Sequence, residues 1–253
     1  MSFMQPVIAL LQFTTILPVG KTAPFEAFAR RCWMYPLAGY VTGGIAALIL
    51  FMLPAPPLVI AALGLGILFL LTGCNHLDGL LDLGDGLMAH GSREVRIRAL
   101  TDRTIGTGGI AFGLIITLLS FGSLASVQMA CVAVIIAEVA GKYAMAVMTI
   151  FGKPFHDGLH ATLHQQTHPW FIIPSTMLLL PLIFLPVSLG SLIGAFFIMV
   201  VIPGTLIILA ARLFGGVNGD VTGAAGEITR AGVFAIIACT QGPVFFSWIS
   251  PIF

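Results

Sequence analysis

The chain has 253 residues, of which 58% are hydrophobic and only 8% charged, with a formal net charge of +1; its mean hydropathy is +1.06. Soluble domains carry about 25% charged residues, so this composition excludes a soluble globular protein and leaves little room for a separate soluble domain. It predicts an all-α, polytopic integral membrane helix bundle, organised as a single domain over residues 1–253.

Apolar segments of membrane-spanning length run at about 3–18, 34–53, 57–74, 110–127, 129–150, 170–188, 191–211 and 231–249. The first is short and reads either as a span or as a re-entrant or interfacial piece, which gives seven or eight membrane segments. Turn chemistry marks the breaks: Pro18-Val19-Gly20, Pro54-Ala55-Pro56-Pro57, Leu189-Gly190 and Gly215-Gly216. The charges follow alternate segments. Lys21, Glu26, Arg30 and Arg31 come after the first, Arg93, Arg96, Arg98 and Arg103 after the third, Lys153 after the fifth, and Arg212, Asp220, Glu227 and Arg230 after the seventh. The other connections carry no charge. All charged loops therefore fall on one face, which the positive-inside rule makes cytoplasmic in a multi-pass protein of the cell membrane.

Within the fifth segment, Glu138 and Lys142 sit at i,i+4 and read as a mutually neutralised pair. Gly39-x-x-x-Gly43 and Gly223-Ala224-Ala225-Gly226 predict close helix packing. The four cysteines (Cys32, Cys74, Cys131 and Cys239) have no CxxC or zinc spacing, so neither disulfides nor structural zinc is expected. The N-terminus lacks a basic n-region, and a cleaved signal peptide is not expected. Nor is a nucleic-acid partner.

The chemistry gathers in residues 72–109 and 213–227. Asp78, Asp82 and Asp85 stand four and three apart; on a helix they fall within an arc of roughly 60°. Leu77, Leu80, Leu81, Leu83 and Leu87 take the other side, and Gly79 and Gly86 would let a phosphate or backbone approach. Three like charges this close need protons, a basic side chain or a cation. Oxygen ligands suit Mg²⁺, Mn²⁺ or Ca²⁺, so the acidic face reads as a metal–phosphate site at a membrane edge.

The arginine run that follows serves either headgroup anchoring or phosphate binding. Arg98 has Glu94 as an i,i+4 partner, which leaves Arg93 and Arg96 as the phosphate candidates. Asp102-Arg103-Thr104-Ile105-Gly106-Thr107-Gly108-Gly109 opens a helix, and its backbone N–H groups favour an anion. In the second stretch, the glycines before Asp220 would admit a ligand and those after it a neighbouring helix. Asp220 and Glu227 are seven apart and share nearly one helical face. His156, His160, His164 and His168 recur every fourth residue, which reads as a polar interfacial helix rather than a transition-metal site.

Thr72-Gly73-x-x-His76-x-Asp78-Gly79-Leu80-x-Asp82-x-x-Asp85-Gly86, Asp102 with Gly106 and Gly109, and Gly215-Gly216-Val217-x-Gly219-Asp220-x-x-Gly223-Ala224 together resemble the cobalamin synthase (adenosylcobinamide-GDP ribazoletransferase) family. Phe13-Thr14-Thr15-Ile16-Leu17-Pro18-Val19 and Pro36 with Gly39 and Gly43 extend the likeness over nearly the whole chain. The resemblance implies a membrane transferase of late vitamin B12 assembly. Such an enzyme joins adenosylcobinamide-GDP to α-ribazole or its 5′-phosphate, releases GMP and uses Mg²⁺. Its partners would be those substrates and the lipid bilayer, with either homo-oligomers or a complex of cobamide-assembly enzymes. The roles expected here are metal binding by Asp78, Asp82, Asp85 and Asp102, and catalysis by Asp82 or Asp85. Substrate or phosphate contacts are expected from His76, Arg93, Arg96, Arg103, Gly106, Asn218 and Asp220. Asn75, the order Asp102-Arg103-Thr104, Asn218 and Thr222 depart from the family pattern. A CDP-alcohol phosphotransferase would show Asp-Gly-x-x-Ala-Arg, but Leu80-Leu81-Asp82 follows Asp78-Gly79 here. A cation-coupled transporter would place acids at the midplane and repeat internally; neither pattern appears.

Overall fold

The computed structural model describes residues 4–243. Among these, the α-helices are α1 (Gln5–Thr14), α2 (Phe25–Ala29), α3 (Tyr35–Phe51), α4 (Pro57–Leu71), α5 (Asn75–Met88), α6 (Arg93–Leu100), α7 (Thr107–Ser126), α8 (Ala130–Phe151), α9 (Leu159–Gln165), α10 (Ile172–Met177), α11 (Leu189–Leu213) and α12 (Gly219–Cys239). The described residues form no strand; one isolated parallel bridge joins Pro154 to Val217. Five helices are long and apolar enough to cross a membrane: α3 with its 3₁₀ lead-in from Cys32, then α7, α8, α11 and α12. Two bent pairs, α4 with α5 and α9 with Pro169–Phe184, raise the number to seven if each is one span.

Three expected segments change. The first becomes α1, whose ten residues reach about 15 Å, half of a hydrocarbon core of about 30 Å. The expected span at 170–188 is broken into short helical pieces around Pro174 and Pro181, each of which lacks a backbone donor. The last helix starts at Gly219 rather than 231 and ends at Cys239; residues 244–249 of the expected segment lie outside the described residues. Asp220, Glu227 and Arg230, expected in a loop, are thus inside a helix.

Buried pairing makes that placement tolerable. Arg230 Nη1 donates to Glu138 Oε1 at 2.9 Å, and Arg230 Nη2 bonds Glu227 Oε2. Thr42 Oγ1 donates to Glu138 Oε2 at 2.7 Å, and the guanidinium lies 5.2 Å from the Phe69 ring centroid. The expected Glu138–Lys142 pair is therefore replaced. Arg230's planar fork takes both glutamates, while Lys142 Nζ lies 3.2 Å from His76 Nδ1. Among the described residues the only ion pairs are those of Arg230, so Glu94 and Arg98 are not paired either.

The small residues pack as expected. A Cβ on Gly39 would stand 2.6 Å from Val139 Cα, and one on Gly43 would stand 3.0 Å from Ile135 Cα, so α3 and α8 touch backbone to backbone. Gly141 meets the Gly226 carbonyl in the same way between α8 and α12. α8 and α12 are the most buried spans, and α7 and α11 have the largest outward-facing shares.

Gly73 (φ +61°) and Cys74 (φ +59°) turn the chain sharply, setting α5 at 95° to α4. α5 then crosses the first turns of α7 and α12. Gly84 packs on Gly108 and Gly109, and Gly79 on the backbone of Asp220. α5 therefore lies across one end of the α7–α12 pair. At the other end the charge-free connections meet: Gln128 N–H donates to Gln241 Oε1 at 2.8 Å and Ser188 Oγ to the Thr240 carbonyl at 2.7 Å.

Candidate active site

The predicted acidic helix forms. Leu80 and Leu83 are fully buried in a cluster with Leu100, Phe214 and Val221, which turns the carboxylates toward the opposite side. Asp78 is exposed, while Asp82 and Asp85 are half-buried. Asp78 and Asp82, one turn apart, line a cleft of about 490 Å³ together with Asp102, Arg103 and Asp220. The acids of α5 and α12 can share this space because Gly79 has no side chain. A Cβ there would stand 2.6 Å from the Asp220 carbonyl oxygen.

Asn218 caps α12, accepting from Val221 N–H at 3.0 Å, and its amide donates to Asp220 Oδ2 at 2.7 Å. One residue thus starts the helix and orients the carboxylate. Thr104 donates from its N–H and its hydroxyl to Asp102 Oδ1 at 2.9 and 2.7 Å, which holds that carboxyl below its usual range. Burial and the neighbouring Asp220, Asp78 and Asp85 carboxylates push Asp82 up to about 7. The cleft concentrates negative charge that a cation would relieve.

Several expected site residues have other partners. Asp85 Oδ2 accepts from Gly106 N–H and Oδ1 from Gly109 N–H, each at 2.7 Å. The anion at the start of α7 is thus the protein's own carboxylate, so Gly106's N–H is not free for a phosphate. Asp85 thus joins α5 to α7, with each carboxylate oxygen holding one backbone N–H of the α7 start. Arg96 Nη1 donates to the Leu87 carbonyl at 2.9 Å and the Gly86 carbonyl at 3.4 Å, satisfying the end of α5. Arg93 packs against Gly215. Arg103 is the one arginine of the run that lines the cleft. His76 is buried against Lys142 rather than in the cleft.

Gly216 admits backbone rather than ligand: a Cβ on it would meet the Lys153–Phe155 chain, and Val217 N–H donates to the Lys153 carbonyl at 2.8 Å. Gly219 is open and lines the cleft. Among the described residues no three His, Cys, Asp or Glu side chains converge as a ready metal cage. The expected set of Asp78, Asp82, Asp85 and Asp102 is therefore not gathered into one cage, and Asp85 accepts from α7 instead.

The structure adds His156 and His160 to the cleft wall. The periodicity of four histidines suggested one helix, but α9 covers only Leu159–Gln165 and leaves His156 and His168 outside it. His160 Nε2–H donates to the Gly152 carbonyl at 2.8 Å and His164 Nδ1–H to the Thr149 carbonyl at 2.9 Å. These bonds brace the loop. The bridge from Pro154 to Val217 brings His156 beside Asp220, a pairing that no local spacing encodes.

The family model for cobalamin-5-phosphate synthase matches residues 6–238. The chain belongs to the cobalamin-5-phosphate synthase family. Relatives named adenosylcobinamide-GDP ribazoletransferase include one from Methanosarcina mazei, 34% identical over 90% of this chain and 89% of its own length. Another from Methanosarcina barkeri is 35% identical over 89% of both chains. A third, from Halorubrum lacusprofundi, is 35% identical over 91% of this chain and 96% of its own. No solved structure matches the chain.

The two half-buried acids of this cobalamin-5-phosphate synthase family member should respond oppositely to neutralisation. Asp85→Asn leaves one α7 N–H facing an amide donor and should cost about 1–3 kcal/mol, read as a lower thermal midpoint in detergent. Asp82→Asn should raise the midpoint measured without added divalent ions. Its carboxyl titrates near 7 when folded and near 3.8 otherwise, so folding is disfavoured once the group ionises. The gain should be largest above about pH 7 and absent below about pH 4.

Proposed function

We propose that this chain is an adenosylcobinamide-GDP ribazoletransferase, which joins adenosylcobinamide-GDP to α-ribazole or its 5′-phosphate and releases GMP. One observation carries the reading. In a chain matched to cobalamin-5-phosphate synthase over residues 6–238, the motif acids Asp78, Asp82, Asp102 and Asp220 line one open cleft with Arg103. Such a cleft suits a diphosphate whose charge must be balanced.

A ribazole hydroxyl attacks the phosphorus bonded to cobinamide. The new P–O bond forms as the bond to the bridging oxygen breaks, and GMP leaves with that oxygen. Asp220, oriented by the Asn218 amide, receives the hydroxyl proton. This differs from the expectation of Asp82 or Asp85, since Asp85 is engaged by Gly106 and Gly109 and Asp82 is assigned to the ion. Arg103 faces the charge that develops on the phosphate oxygens.

The donors fit Mg²⁺, which is typically held by one or two carboxylates plus substrate phosphates. The α5 carboxylates offer oxygen, are crowded enough to lift Asp82 to about 7, and do not form a closed protein cage. Asp78 and Asp82 would hold the ion. When bound, it neutralises phosphate oxygens and orients the leaving group.

The cleft opens on the cytoplasmic side. Arg93 and Arg98 on α6, Arg103 and Lys153 on connections and Arg212 in the last turn of α11 gather at the cleft end, and the described connections at the opposite end carry no charged side chain. α1, too short to span, stays on the same side.

Purified protein supplied with adenosylcobinamide-GDP and α-ribazole should release GMP, and Asp78→Asn and Asp220→Asn should each slow release by roughly 100-fold or more. Full turnover in both variants, or after exhaustive chelation, would contradict the proposal. Orientation has a separate check. Cys74 at the cleft end and Cys239 at the other are both exposed. In single-cysteine variants in intact cells, an impermeant maleimide should label Cys239 and spare Cys74; the reverse pattern places the cleft outside.

A further inference from the structure

A second cavity, of about 620 Å³, lies between α2 and the segment after α9; its lining includes Glu26, Arg30, Arg31, Trp33, His168 and Trp170. Its walls are held in place. His168 and Trp170 stack with 9° between ring planes, and Trp170 meets Phe171 edge-on at 4.7 Å. Phe28, on the helix that ends just before the arginines, packs edge-on against Tyr35 at 5.0 Å. Arg30 and Arg31 are exposed and neither has an ion-pair partner among the described residues, although Glu26 stands at i,i+4 from Arg30.

An apolar track leaves this cavity. Trp170, Ile173, Met177 and Leu180, spread over the short helical pieces after α9, are 57%, 55%, 60% and 56% exposed. Two guanidiniums beside aromatic rings recognise a phosphate-bearing head. An exposed hydrocarbon stripe beginning at the same place recognises a chain. A soluble anion would use only the first feature.

We propose that this cavity is a binding site for an anionic phospholipid, with its phosphate at Arg30 and Arg31, its head against Trp33 and Trp170, and an acyl chain along Ile173, Met177 and Leu180. The assignment is independent of the chemistry at the acidic cleft.

Tryptophan quenching in lipid vesicles tests it. The full-length protein is reconstituted with brominated phosphatidylglycerol or brominated phosphatidylcholine, and a Trp170→Phe variant isolates the Trp170 signal. Phosphatidylglycerol should associate with the Trp170 site roughly 10- to 30-fold more strongly than phosphatidylcholine. Arg30→Gln/Arg31→Gln should bring that ratio near one. Arg98→Gln/Arg212→Gln, which removes the same charge elsewhere, should keep it. Equal quenching by the two lipids in the unmutated protein overturns the proposal whatever the variants do. So does a preference that survives loss of both arginines, or that millimolar GMP abolishes, which would mark a soluble-nucleotide pocket.

Discussion

The site depends on one close contact, the crossing of α5 over the first turn of α12 at Gly79. Any side chain at that position would separate the two helices, and with them the acids of α5 from Asp220. The contact brings like charges together, and Asp82 shows the electrostatic consequence. Burial of Leu80, Leu83 and Val221 on the other side offsets that repulsion. Asp85 adds a hydrogen-bonded link to α7. The leucine face and Asp85 thus position α5, leaving Asp78 and Asp82 turned to the cleft.

Beneath this surface lies a second charge cluster with the opposite design. Glu138, Glu227 and Arg230 are buried and mutually bonded, and Lys142 reaches His76 on α5. While Lys142 is an ammonium it only donates, so His76 Nδ1 accepts and the ring's proton sits on Nε2. The buried charges join α8 to α12, and the His76 contact connects both to α5. Removing one partner from such a set leaves a buried charge uncompensated, which is far costlier than the set itself. The same network explains why charged residues occur within a spanning helix at all.

Much of this was legible in the residues. The acidic helix, the small-residue contacts at Gly39, Gly43 and Gly226, and the spans near 110–127, 129–150 and 191–211 follow from periodicity and hydropathy. Resemblance on the Asp78–Asp85 motif pointed to the family that the 6–238 match then established. Long-range pairing was the missing information. Arg230 looked like a loop charge because Glu138, the second carboxylate it pairs with besides Glu227, is 92 residues away. Gly106 looked like a phosphate cradle because Asp85, which fills it, lies 21 positions earlier. The four-residue histidine repeat imitated a helix, although its rings are set by carbonyls of Gly152 and Thr149 and by the loop pairing at Val217.

The central claim is that carboxylates from α5, facing α12, form a cleft whose charge a divalent ion relieves. Thermal unfolding of the purified protein at pH 7.5, with and without millimolar Mg²⁺, addresses it most directly. The unmutated protein should gain roughly 2–5 °C, and Asp78→Asn/Asp82→Asn should gain nothing. An equal rise in both proteins would place the ion elsewhere and contradict the assignment.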